Sequence, residues 1–166
     1  SHLALYIGST NIDLARLSLS LLGRISQSSQ FSASSVSTTD SRIRGNRLLS
    51  IFETVDESTR IKEGLIEQIE RSGDFYLSVE TFEKLMLLKE EIIKFIIFNL
   101  SKDSRVPTIA HFLLGFKINS DSSLSLDSER GGLASEISLL RSILTIYEGS
   151  VAYMSSTSIE KLFTVV

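Results

Sequence analysis

"VETFEKLMLLKEEIIKFIIFNL", Val79–Leu100, is the stretch on which the fold turns. Ser78 precedes it as an N-cap, Glu80 and Thr81 fall in its first turn, and Glu80–Lys84 and Glu90–Lys94 are spaced as i,i+4 ion pairs. At 1.5 Å per residue, a helix over this stretch is roughly 33 Å long. In its second half Ile92, Ile93, Phe95, Ile96, Ile97 and Phe98 are apolar nearly all round, the pattern of a helix buried between neighbours. Lys94 interrupts the run, which falls far short of the roughly 20 apolar residues of a membrane span. A helix with this composition predicts other helices packed around it.

The rest of the chain supplies them. Leu3–Ile7 reads as the end of a helix closed by Gly8. Thr10 or Asn11 caps the next, whose Ile12, Leu14, Leu17, Leu21, Leu22 and Ile25 recur at helical spacing, with Gly23 a weak point. Asp40 caps a helix best formed over Arg47–Val55; Asp56 or Ser58 caps another, with Ile61, Leu65, Ile66 and Ile69 as its stripe, Glu67–Arg71 as an i,i+4 pair and Gly73 as its end. Pro107 suits the first turn of a short helix over Thr108–Leu114 that Gly115 closes. A last long helix runs over Leu133–Tyr147, with Leu133, Ile137, Leu140, Ile143, Leu144 and Tyr147 inward, and Glu148-Gly149 ends it. Ser158 caps a final segment from Ile159.

Two stretches break the helical pattern. Residues 26–41, "SQSSQFSASSVSTTDS", carry eight serines and two threonines and read as a Ser-rich loop, a candidate for phosphorylation whose plainer role is a solvated connector. Residues 116–132 are a polar loop with extended backbone at Phe116–Ile118. No segment shows sustained period-2 alternation. The expectation is an all-α fold: residues 1–166 as a single α-helical solenoid fragment, built of HEAT/armadillo-like helical hairpins without a strict repeat period.

The bulk numbers exclude more than they assign. The 166 residues are 42% apolar, enough to bury a core, and the net charge is −3 with a pI near 5.4. Lys and Arg are dispersed, so neither nucleic acid nor membrane insertion is expected, and no small-molecule substrate is indicated. Without cysteine there is no disulfide, thiol catalysis or thiolate-bound zinc. The start, "SHLALYIG", lacks the features of a signal peptide; Ser1-His2 has the look of a cloning scar, and both ends read as cut from a longer chain.

Catalytic chemistry rests on one residue. His111, in "RVPTIAHFLLGFKIN", sits in an apolar run with no acidic residue at i,i+3 or i,i+4 in either direction, so packing or a hydrogen bond at the helix edge is the expected role. "ERGGLASE" lacks a phosphate-loop pattern, and the carboxylates Glu53/Asp56/Glu57 and Glu67/Glu70 read as solvated helix faces. The sequon Asn99-Leu100-Ser101 lies at the end of the long helix and is discounted. No catalytic, cofactor-binding or metal-binding residue is expected, and the chain is read as not an enzyme.

From Arg60 onward the order of elements resembles a known family. "RIKEGLIEQIE", then the long apolar helix, "PTIAHFLLGFKIN" and "LLRSILTIYEG" are similar in succession to the large inner-ring scaffold nucleoporins of the nuclear pore complex, fungal-type members included. The likeness covers Arg60–Gly149, and the Gly115-Phe116-Lys117 ending leans toward the larger of two branches. The resemblance implies a long α-solenoid at the nuclear envelope that holds the inner ring together and supports nucleocytoplasmic transport of protein and mRNA. It implies other nucleoporins as partners, linker segments among them, bound through regions outside this fragment; no partner-binding residue carries over. The alternative is a soluble armadillo/HEAT-type adaptor or nuclear transport receptor that binds protein cargo, which helical hairpins support equally.

Overall fold

The computed structural model describes residues 2–28, 47–54, 57–72, 78–101, 108–118, 124–126 and 138–149. The chain enters on a 3₁₀ helix, His2–Gly8, and continues as α1 (Ile12–Gln27), α2 (Arg47–Thr54), α3 (Glu57–Glu70), α4 (Val79–Ser101) and α5 (Ile109–Leu113). Two three-residue strands, β1 (Phe116–Ile118) and β2 (Leu124–Leu126), pair antiparallel with Phe116 opposite Leu126. Residues 139–149 form α6. The fold is all-α apart from that hairpin, which lies within the expected polar loop.

The helix ends follow side-chain chemistry. Asn11, one of two candidate caps, is the one used: its Oδ1 accepts the Leu14 N–H at 3.2 Å. Ser78 caps α4, accepting the Thr81 N–H at 3.2 Å, and both expected ion pairs form, Glu80–Lys84 at 3.0 Å and Glu90–Lys94 at 2.6 Å. Gly115 closes the α5 segment with φ 85°, in the left-handed region that a side chain disfavours. Ser58, a cap candidate, lies inside the first turn of α3; the other candidate, Asp56, lies outside the described residues, as do Asp40, Gly73, Pro107 and Ser158. Of the expected Ser-rich loop, Ser26 and Gln27 belong to α1 and Ser28 is its C-cap; residues 29–41 are not described.

The elements meet where α3 crosses the first turn of the chain. A methyl group at Gly64 would sit 2.7 Å from the Gly8 nitrogen and 2.9 Å from its Cα, so two backbones touch and no side chain fits between them. Gln68, one turn on, is buried and donates from Nε2 to the Ser9 carbonyl at 2.9 Å; Arg71, a further turn on, reaches the Thr10 carbonyl at 3.2 Å. Positions 64 and 68 on α3 and Arg71 just past its end thus line up to grip the turn leading into α1. Arg71 is spent on that contact, and its expected pairing with Glu67 is not among the ion pairs of the described residues.

Below this crossing lies the core. Ile7, Leu65, Ile69, Leu85, Leu88, Ile92, Ile109, Leu113 and Leu139 are all sealed from solvent. The Arg16 guanidinium spans from α1 to the Glu91 carboxylate on α4, with contacts of 2.6 and 3.1 Å, and Ser142 on α6 donates to Glu70 on α3 at 2.7 Å. Phe52 of α2 meets Phe112 of α5 edge-to-face, ring centroids 6.3 Å apart.

Three buried faces differ from the sequence reading. On α1 the core side is Ile12, Ala15, Ser18, Leu19, Leu22 and Ser26, while Leu17 and Ile25 are exposed. The serines can face inward because their hydroxyls bond carbonyls of their own helix, Ser18 to Leu14 and Ser26 to Gly23. On α6 Leu139 is buried and Leu144 and Tyr147 point outward, because the helix meets the core through Leu139, Ser142, Ile143 and Ile146. Leu133 and Ile137 lie outside the described residues. Most telling, α4 is not buried all round. Leu85, Leu88, Ile92, Phe95, Ile96 and Asn99 face α1, α3 and α5, but Ile97 is 58% exposed and Phe98 and Leu100 more than 40%.

Two glycine substitutions test this packing in opposite directions. Gly64→Ala drives a methyl into backbone and is expected to lose about 1–3 kcal/mol, as overpacking does. At Gly23 a methyl finds only Phe95, at an ordinary 3.9 Å. Gly23→Ala is expected to gain about 0.5–1 kcal/mol from helix propensity. Urea-denaturation midpoints of the two variants check both signs.

Candidate functional site

His111 is where acid–base chemistry was sought, and the structure gives it another task. It is the third residue of α5. Its Nδ1 accepts the Thr108 N–H at 3.0 Å, while its own N–H donates to the Thr108 carbonyl at 3.0 Å. The side chain therefore reaches back to satisfy a donor at the helix start, as Glu or Gln does in a capping box. Accepting at Nδ1 assigns the ring proton to Nε2. Thr108 Oγ1 donates to the Asn99 carbonyl at 2.9 Å, and Asn99 Nδ2 donates to the Phe95 carbonyl at 2.9 Å. Through this chain of contacts α5 is pinned to the C-terminal turn of α4. The imidazole also stands edge-on to Phe116, centroids 6.1 Å apart.

Burial lowers the pKa of His111 below the ordinary histidine value, since the half-buried ring disfavours charge. Protonating Nδ1 would also remove the acceptor for Thr108. Asn99, the sequon residue, is buried and bonded within its helix. Of the carboxylates, Glu67 and Glu70 are exposed, Glu70 accepting from Ser142, while Asp56 and all of "ERGGLASE" lie outside the described residues. Among the described residues no cluster of three or more His, Asp or Glu side chains is placed to hold a metal ion.

The structure offers surface in place of chemistry. A groove of about 590 Å³ runs between α1 and α4, with Leu17, Phe95 and Phe98 in its walls and Arg16, Arg24, Glu91 and Lys94 along its rim. A second, of about 600 Å³, lies beside the glycine crossing, between Tyr6, Ser9, Arg60, Glu63 and Glu67. Among the described residues no helix is long and apolar enough to cross a membrane.

Comparison with known proteins decides the family. The family model described as nuclear pore complex scaffold, nucleoporins 186/192/205, matches residues 1–163. The chain belongs to this nucleoporin family. A curated relative, nucleoporin nup186 of Schizosaccharomyces pombe, is 30% identical over 149 residues, which is 89% of this chain and 8% of that protein. The nucleoporin chain in hand thus spans a small part of its relative's length. Membership places it in a family described as a scaffold of the nuclear pore complex, at the nuclear envelope. The match takes in the first helices as well, which the sequence reading had left outside the resemblance. What ties those helices to the rest of the fold, the Gly8/Gly64 approach and the Gln68 and Arg71 contacts, is announced by no local pattern.

The structural role of His111 has a pH signature. Because its folded pKa is depressed, the unfolded chain takes up the proton more readily, so stability rises with pH through this window. The contribution is full above the unfolded value of ~6.5 and is lost as pH falls through the lower folded value. His111→Gln keeps an acceptor for Thr108 and is expected to match the wild type at pH 7.5 while losing less stability at pH 5.5. His111→Ala is expected to lose about 1 kcal/mol at pH 7.5, the typical cost of a missing cap. Urea midpoints at the two pH values check this.

Proposed function

We propose that this chain is one stretch of a long α-solenoid of HEAT/armadillo-like helical hairpins in the inner ring of the nuclear pore complex, where it acts as spacer and adaptor without catalysis. The observation that carries the proposal is the family match over residues 1–163, held by a chain that amounts to 8% of its relative's length. A solenoid repeat buries its apolar face only against neighbouring repeats. The ordinary structural duty found for His111 supports the non-catalytic part of that reading. Residues 1–166 act as a single unit in this account. Linker segments of other nucleoporins dock elsewhere on the solenoid, and the assembled ring supports nucleocytoplasmic transport of protein and mRNA.

Imaging and depletion of the full-length protein in its own cell test the proposal. A tagged full-length copy is expected to stain the nuclear rim and to co-purify stably with inner-ring nucleoporins. Its depletion is expected to slow import of a protein reporter and export of poly(A) RNA. A diffuse pool that binds cargo and releases it with the small GTPase Ran in its GTP form would contradict the scaffold reading and favour a transport receptor.

A further inference from the structure

The outward side of α4 is a seam with an internal symmetry. Val79 is 76% exposed, and Phe82, Met86, Ile97 and Leu100 are all exposed; Ile93 between them is half-buried, packed in part against the core and in part open to solvent. Their spacings of three, four and seven residues place them on one line along the helix, away from Leu85, Leu88, Ile92 and Phe95 on the core side. The line extends the length of the helix, roughly 31 Å from Val79 to Leu100.

Lys89 and Glu90 lie at its middle. Lys89 is half-buried, and burial lowers its pKa. The ion pairs of the described residues give it no carboxylate partner. Glu90 is exposed and holds Lys94 at 2.6 Å on its own helix, which leaves carboxylate lone pairs open.

The pattern reads alike from either end. About the point between Lys89 and Glu90, Val79 mirrors Leu100, Phe82 mirrors Ile97, Met86 mirrors Ile93, and the lysine mirrors the glutamate. A two-fold symmetric interface requires this property, since each residue must suit its mirror position on the other copy. An antiparallel pairing satisfies it. Apolar residues then meet apolar residues at each outer layer, and at the centre the Lys89 of each copy lies level with the Glu90 of the other. We propose that α4 is the interface through which two copies of this chain associate, antiparallel and in this register. The mirrored seam and its central pair of opposite charges favour a second copy over an unrelated helix, which would need neither.

The proposal is independent of the assignment to the inner ring and is tested on the 166-residue chain itself. Sedimentation equilibrium over about 1–100 µM is expected to show a concentration-dependent dimer, as mass action requires. Lys89→Glu or Glu90→Lys puts four like charges at the centre and is expected to weaken dimerisation at least about tenfold. The double variant Lys89→Glu/Glu90→Lys restores opposite charges and is expected to recover the dimer to within about threefold. Register is read by disulfide trapping, because the chain has no cysteine of its own. Val79→Cys mixed with Leu100→Cys is expected to give a covalent dimer under mild oxidation, and either variant alone is not. A chain monomeric throughout the series, a dimer indifferent to the charge variants, or trapping of Val79→Cys with itself would each overturn the proposal.

Discussion

Everything in this arrangement depends on the close approach of two backbones at Gly8 and Gly64. A side chain at Gly64 would press the 3₁₀ helix away from α3 and loosen the contacts that follow it in sequence, and one at Gly8 would crowd the same approach. Gln68 and Arg71 hold the Ser9 and Thr10 carbonyls only because the turn is already seated on α3. The turn then fixes Asn11 at the start of α1, and the direction of α1 brings Arg16 within reach of Glu91 on α4. Gln68 bears a cost for this. Its Nε2 must face the Ser9 carbonyl, and its buried Oε1 is left without a hydrogen-bond partner among the described residues. Such a side chain is tolerated because the clasp it completes orders several elements at once.

From that clasp the helices build a core with one open side. α4 meets α1, α3 and α5 on one flank and turns the other outward, so its length serves both as the spine of this stretch and as surface. His111 belongs to the same logic. A polar side chain in an apolar run is kept because it caps the start of a helix and, with Thr108 and Asn99, ties that helix to its neighbour. The Nδ1 of that histidine is here engaged in fixing the helix start.

How much of this the sequence disclosed depends on the range of the interaction. Local chemistry was legible: Asn11 and Ser78 as caps, Glu80–Lys84 and Glu90–Lys94 as pairs, Gly115 as a terminator, Ile61, Leu65, Ile66 and Ile69 as a buried stripe. The all-α class followed from the same periodicities. Phase was less legible where a helix carries apolar residues on more than one side. On α1 the leucines outnumber the positions facing the core, and buried serines that bond their own helix took places that hydrophobicity would assign to Leu17. On α4 apolar composition on all sides signalled burial on all sides, whereas the described neighbours cover one. The glycine crossing was not legible, since nothing local to Gly8 or Gly64 says that the two meet.

The most direct measurement of the central claim is the nuclear Overhauser contact between the α-protons of Gly8 and Gly64. The backbones lie so close that a methyl on Gly8 would stand 3.1 Å from the Gly64 Cα, so their α-protons fall well inside the roughly 5 Å reach of dipolar transfer across packed atoms. A strong cross-peak between the two assigned glycines is the predicted result. Its absence from a folded sample in which both glycines are assigned would contradict the clasp, and with it the order in which these helices are assembled.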